Sequence, residues 1–332
     1  MAYYVAIATT GSPYLRVFPW TDSGFGSEYA GIPAALPAAA RGVQFSPSLD
    51  AVVVTHNTNP RVKAFAWTPT GYGAVLTSPS LTSEVTEVKF HPDGTAVALA
   101  SGYSPDVRVY NWSSAGFGSA FADPAVLSNI GTTNCAFSPA GTELVVVGNS
   151  YPYVGAYAWS ASGFGAKLAN PAVLPGDICG SVSFHPSGNY VLMSQETTPY
   201  LLVHAWSGSG FGAKVADPAT SPPAVCYRAM FSPDGTRVLA IDSAGYCSVY
   251  EWTGTGFGSR LSYTSVGNGF VGVHPEGSAV VFSRIFADSY DFSTGDIGSL
   301  IDSTSYITGT NQIHFSGVPD IFWENFVRSY ET

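Results

Sequence analysis

Three histidines carry the side chain best suited to moving protons near neutral pH. Each sits in the same short phrase: Phe90-His91-Pro92, Phe184-His185-Pro186 and Val273-His274-Pro275. General bases or metal ligands are the chemical reading. Ser46, Ser138, Ser232 and Ser316 take the same place in other copies of the phrase, and a position where Ser and His interchange is one whose side chain hydrogen-bonds its own turn. Turn support is therefore expected of these histidines. Polar residues outside any repeated phrase include Arg41, His56, Arg61, Asp106, Asp177, Glu196 and Arg228. Carboxylates beside cations are the pieces of a hydrolytic site, one to activate water and the other to face developing negative charge. Spacing does not bring these seven together. The chain has no ordered Ser/His/Asp set, glycine-rich phosphate loop or His-Glu-x-x-His motif. No Cys/His spacing points to zinc, and neither metal nor cofactor is expected.

Two further sets of residues recur with a chemical option attached. Phe25, Phe117, Phe164, Phe211 and Phe257, with Tyr72, stand between two glycines, where a ring is easily exposed to stack on a sugar. The same rings can fill the gap between neighbouring sheets. A proline seven residues before each repeated Trp recurs as Pro13, Pro60, Pro105, Pro152 and Pro199, and the next residue varies: Tyr14, Arg61, Asp106, Tyr153, Tyr200 and, in a copy without proline, Tyr246. A fixed scaffold with a variable tip suits a recognition surface, so these six form the candidate binding face. The competing reading is that each tip merely begins a strand.

The elements that position these residues follow from the repeat. Phe45, Phe90, Phe137, Phe184 and Phe231 are separated by 45, 47, 47 and 47 residues, and Trp20, Trp67, Trp112, Trp159, Trp206 and Trp252 follow in step. A fixed period of this length marks a repeat architecture. Within one repeat, Asn134 to Ser138, Glu143 to Gly148 and Pro152 to Trp159 read as strands a, b and c, and Ala166 to Val173 as an edge strand d. Four antiparallel strands make one blade. Strand c is apolar on both faces, as a sheet packed between two others requires. At the start of the chain Val5 to Ala8 and Pro13 to Trp20 match strands b and c, with no strand a before them. Residues Asn311 to Ser316 form a strand a with no b or c after it. Together these predict an all-β, seven-bladed propeller over 1–318, its ring closed by the C-terminal innermost strand joining the N-terminal strands. The aromatic tail, 319–332, is expected to dock on it.

Composition excludes several functions. Of the 332 residues 45% are hydrophobic and 11% charged, with 36 Gly and 23 Pro, which suits many short strands and turns. A formal net charge of −10 opposes phosphate neutralisation, so nucleic acid and anionic membranes are not expected partners. No apolar stretch approaches a membrane span and no signal peptide is visible. Cys135, Cys179, Cys226 and Cys247 read as small buried hydrophobes.

Val88-Lys89-Phe90-His91-Pro92-Asp93-Gly94, Ala96 to Ser101 and Val107-Arg108-Val109-Tyr110-Asn111 together resemble a WD40 repeat or the related repeats of cytosolic lactonase-type propellers. The pattern departs from WD40: Tyr110-Asn111 stands where Trp-Asp would be, and the heavy aromatic comes one step later, at Trp112. Near-duplicate stretches such as Gly163 to Leu174 and Gly210 to Ala219 are also similar to propellers encoded by tailed bacteriophages. From this follows the expectation of a non-enzymatic propeller presenting a binding or structural surface, as a phage virion component for decoration, fibre or host attachment. Its partner would be a capsid or tail protein or a host surface receptor on the b–c loop face, and its location the virion, or otherwise the cytoplasm. The alternatives are a lactonase-like hydrolase and a multivalent carbohydrate-binding propeller.

Overall fold

The computed structural model describes residues 3–21, 24–32 and 34–266 in full. It also describes the backbone of strands Val271–Val273, Ala279–Ser283, Ala287–Asp291, Leu300–Ser303 and Thr310–Phe315. The chain is an all-β propeller of four-stranded antiparallel blades. Blade 1 sets strands Tyr3–Thr9, Leu15–Thr21 and Gly24–Phe25 outside Thr310–Phe315, with Val5 opposite Phe315 and Ile7 opposite Ile313. Blades 2 to 6 begin with innermost strands Ala40–Phe45, Glu87–Phe90, Thr132–Phe137, Cys179–Phe184 and Cys226–Phe231. These six blades carry described side chains. The four strands from Val271–Val273 to Leu300–Ser303 form a further sheet, whose first strand lies beside Thr310–Phe315 and whose last lies beside Gly24–Phe25. His274, Ser316 and the tail at 319–332 lie outside the described residues.

Alternation along a buried strand explains the packing. In Glu143–Gly148, Leu144 and Val146 join a cluster with Ala96, Ala98 and Ala100 of blade 3, while Val145 and Val147 join one with Val182, Phe184 and Val191 of blade 5. Successive side chains of a strand point to opposite faces, so each middle strand belongs to two interfaces. The repeated aromatics run in a file from axis to rim. In blade 5, Phe184 meets Trp206 edge-on at 5.1 Å, and Trp206 meets Phe211 at 4.8 Å. Blades 2, 3, 4 and 6 repeat the file. All four cysteines are buried and free of disulfides.

The outermost strand starts earlier than the sequence reading places it. It runs Gly163–Lys167, and the turn precedes it at 160–163, where Gly163 has φ +103°. Phe164 is therefore the second residue of a strand, directly opposite Trp159. Buried at Phe117, half-buried at the others and edge-on to indoles, the phenyl rings of these Gly-Phe-Gly segments pack within the blades. Among the described residues no helix is long and apolar enough to cross a membrane.

Candidate functional site

The innermost strands surround the propeller axis, and polar side chains one to four places before the repeated Phe bridge several blades to the next. Gln44 Oε1 accepts from the Phe90 amide at 2.9 Å, Ser183 Oγ from Phe231 at 3.3 Å and Ser181 Oγ from Ala229 at 2.9 Å. Thr86 and Thr133 hydroxyls donate to the carbonyls of Thr132 and Cys179, at 3.3 and 2.6 Å. An innermost strand has an edge that no further strand covers, and buried amides there need partners. Side chains from the preceding blade supply them.

Blade 3 breaks this pattern, because its two bridging positions hold Glu87 and Lys89, whose side chains are 0% and 1% exposed. Glu87 Oε2 accepts from Asn134 Nδ2 of blade 4 at 3.2 Å, and Oε1 accepts from the Val88 amide at 3.0 Å. Lys89 Nζ lies 3.9 Å from Oε1 and has no hydrogen-bond partner among the described residues. A buried acid and base at sites where blades 2, 4 and 5 carry neutral groups, and blade 6 carries Arg228, is expensive in free energy. Such pairs concentrate where chemistry is done. Sequence reasoning missed this pair because it looked among loop residues. The signal lay in the strand column holding Gly42, Glu87, Asn134, Ser181 and Arg228, polar or small inside otherwise apolar strands.

The seven non-repeating polar residues divide into groups. Arg41 pairs with Glu84 and hydrogen-bonds Asn57, and Arg61 reaches the carbonyls of Asn57 and Thr82. His56 stands with them on blade 2, fully buried and with neither ring nitrogen hydrogen-bonded among the described residues. Burial first, and then the Lys63 and Arg61 charges, pull its pKa down to about 4, against a Thr58 backbone group. On blade 5 the Asp177 carboxylate accepts from the Ile178 amide at 2.8 Å, and the Glu196 amide donates to the Ile178 carbonyl at 3.0 Å. The Cys179 thiol between them is pushed up by burial, then by the charges of Asp177 and Glu196. Arg228 is nearly buried on the innermost strand of blade 6. Arg41, Glu84, Asp177 and Glu196 all flank the starts of innermost strands or the ends of second strands, so they share one end of the axis.

Asp106 does not belong to an exposed face. It is 3% exposed, and its Oδ2 accepts from Ser128 Oγ at 3.3 Å and the Ile130 amide at 3.0 Å. Asp106 ties the b–c turn of blade 3 to the connector that follows. Tyr14, Arg61, Asp106, Tyr153 and Tyr200 share a left-handed backbone, with φ of 69°, 74°, 33°, 65° and 68°. Four of them donate an amide bond to the residue three before, closing the turn. Tyr246 instead stacks on Tyr263 at 4.6 Å and donates its amide to Asp242. The histidines of the a–b turns sit at the opposite end of the axis. His91 Nδ1 is 2.6 Å from Asp93 Oδ1 and its Nε2 is 2.7 Å from the Gly141 carbonyl of blade 4; His185 repeats the arrangement with Ser187 and Gly235. Turn support is thus half their role, and the other half is blade-to-blade bonding. Gly141 has φ +69°, and a Cβ there would come within 2.3 Å of His91 Nε2.

The architecture matches solved propellers along its whole length. A periplasmic gluconolactonase of Pseudomonas aeruginosa superposes with a TM-score of 0.76 at 16% identity, over 96% of this chain and 100% of that one. Two further matches carry a lactonase name. A Bacteroides uniformis protein assigned as a 6-phosphogluconolactonase gives 0.79 at 14% identity over 95% and 99%, and its Bacteroides fragilis counterpart gives 0.77 at 12% over 95% and 98%. No protein-family model and no curated protein sequence matches the chain. At these identities the likeness establishes the fold. The expectation of a non-enzymatic phage surface component is corrected by it: these whole-length matches are enzymes by name, not particle parts. A variable loop tip looks like a recognition surface in sequence, but at five of the six positions it is also what a turn with a left-handed residue needs.

Proposed function

We propose that the chain is a lactonase-like hydrolase that opens a sugar lactone at the propeller axis. The observation that carries this is the buried Glu87–Lys89 pair, 3.9 Å apart and bridged to blade 4 by Asn134. Glu87 takes a proton from water as the water oxygen attacks the lactone carbonyl carbon. Lys89 faces the oxyanion that develops, and the low-dielectric surroundings strengthen that interaction. Collapse of the tetrahedral intermediate breaks the ring C–O bond. The proton held by Glu87 passes to the departing alkoxide, leaving the open hydroxy acid. Because both side chains are closed to bulk water, turnover requires the wall between blades 3 and 4 to part on binding. Arg41, Glu84 and Glu196 form the polar mouth through which substrate enters.

The lactonase names of the structural neighbours support this reading, as does the position of the pair in the axial wall. The ring itself is read as seven-bladed, with the sheet from Val271–Val273 to Leu300–Ser303 as its last blade. The pairing of Val5 with Phe315 closes it. The test is hydrolysis of glucono-1,5-lactone and of its 6-phosphate, followed by acid release above the spontaneous rate. Glu87→Gln should lower the rate by about a hundredfold or more, the range of a lost general base. A purified, folded protein that hydrolyses neither lactone faster than buffer would overturn the proposal.

A further inference from the structure

We infer that a cavity on the rim between blades 1 and 2 is a binding site for a neutral pyranose, separate from the axial site. The cavity has a volume of about 590 Å³, within the range of small-molecule pockets. It lies under the connector from blade 1 to blade 2 and is lined by Tyr14, Arg16, Glu28, Tyr29, Gly31 and Ile32, among others. Three observations define what it can hold.

The first is its charge. Arg16 Nη1 and Glu28 Oε2 form an ion pair at 3.3 Å inside the cavity, with side chains 19% and 32% exposed. The two charges cancel, so an ionic ligand gains little from the site. A neutral ligand with adjacent hydroxyls can donate to the carboxylate and accept from the guanidinium, each a charge-assisted bond. The second is its apolar side. Tyr14 and Tyr29 are held from behind by the blade core, Tyr29 edge-on to Trp67 at 5.1 Å and tilted against Tyr4 at 6.0 Å, with its hydroxyl bonded to the Pro69 carbonyl at 3.1 Å. Rigid rings that supply apolar area at little entropic cost suit the C–H face of a pyranose. The third is how far the ion pair is enclosed. The positions equivalent to Arg16 and Glu28 are Lys63 and Val75 in blade 2, Arg108 and Ala120 in blade 3, Gly155 and Lys167 in blade 4, Leu202 and Lys214 in blade 5, and Ser248 and Arg260 in blade 6. None of these joins an acid to a base, and the Arg108–Asp123 pair of blade 3 is longer, at 3.9 Å, with side chains 48% and 47% exposed. Gly31, with φ +83° and nothing within 4 Å of a would-be Cβ, leaves the mouth open.

The test is saturation-transfer NMR on the full chain with the methyl pyranosides of glucose, galactose and mannose, and with gluconate as the ionic probe. At least one neutral pyranoside should receive saturation, with millimolar affinity. Glu28→Gln and Arg16→Met should each weaken it tenfold or more. Ala30→Trp, at an exposed position on the cavity lining, should abolish it while leaving the melting temperature unchanged. Any of three results overturns the inference: no transfer to any neutral pyranoside at tens of millimolar, transfer undiminished in Ala30→Trp, or tighter binding of gluconate than of every neutral sugar. Lactone hydrolysis by the Ala30→Trp protein should match the parent, which keeps this site distinguishable from the axial one.

Discussion

Replacing Lys89 by Met strands a carboxylate that 0% exposure denies to water. At 3.9 Å and the effective dielectric of about 20 that suits protein interiors, the lost attraction is about 4 kcal/mol. Bonds to Glu87 from Asn134 Nδ2 and the Val88 amide remain, and they offset part of it. Lys89→Met alone should therefore cost about 2 to 4 kcal/mol, in the lower part of the range for breaking a buried pair and below it. Glu87→Gln alone strands the ammonium, which has no other hydrogen-bond partner among the described residues, so it should cost at least as much. The double variant leaves no net charge and should recover most of the loss. Urea unfolding of the four proteins gives the coupling energy, expected between about 1 and 4 kcal/mol. A coupling below about 0.5 kcal/mol would show that the pair is solvated, and with it the physical case for an axial acid and base would fall. Lactone hydrolysis should be lost in both single variants and should not return in the double one, so stability and turnover part company.

Three further outcomes are expected. Trp206→Ala should lower stability by about 3 to 5 kcal/mol, since the indole is 6% exposed between Phe184 and Phe211; Phe211→Ala should cost less, because it is only half-buried, and denaturant titration of both would show the order. His56 has a folded pKa of about 4 against an ordinary 6.5, so the unfolded chain takes up the proton first. Its contribution is intact above pH 6.5, lost as pH falls toward 4 and level below that, about 3 kcal/mol in all; the pH dependence of stability should flatten over this window in His56→Gln, and an unchanged profile would contradict the assignment. Removing the chain from Thr310 onward strips the innermost strand from blade 1 and exposes the edge of Tyr3–Thr9, so the cooperative melting transition should broaden or shift down by several degrees.

The fold was legible because its determinants are local and repeated: a Phe before each turn, a Trp in each third strand and a period of 47 that a single chain displays. Strand d was misplaced because Gly163 looks like a turn centre, whereas its left-handed φ ends the turn and lets Gly163 itself start the strand, with Phe164 second. The site was less visible. Glu87 and Lys89 lie in a four-residue strand that reads as an ordinary copy of strand a, and only the comparison of columns across blades exposes them. The loop tips misled for a related reason: Tyr14, Arg61, Tyr153 and Tyr200 vary freely in side chain because the turn constrains only their backbone. The inter-blade half of the His91 and His185 bonds was invisible because their acceptors lie 50 residues away.

The bonds that carry each blade onto the next have a kinetic consequence. Gln44 to Phe90, Thr133 to Cys179, His185 to Gly235 and Ser183 to Phe231 span 46 to 50 residues, so every one closes a loop of one repeat. Structure can grow along such a chain by adding a blade to a finished neighbour, each step costing a similar and modest loop entropy. The pairing of Val5 with Phe315 spans a stretch more than six times longer, yet in an already ordered array its ends are held near one another, so the additional entropy need not be met all at once. Folding should then be a propagation with a distinct last event. Those amides of Tyr3–Thr9 that face Thr310–Phe315 rather than Leu15–Thr21 should gain exchange protection only when that event occurs, after those of blades 3 to 5.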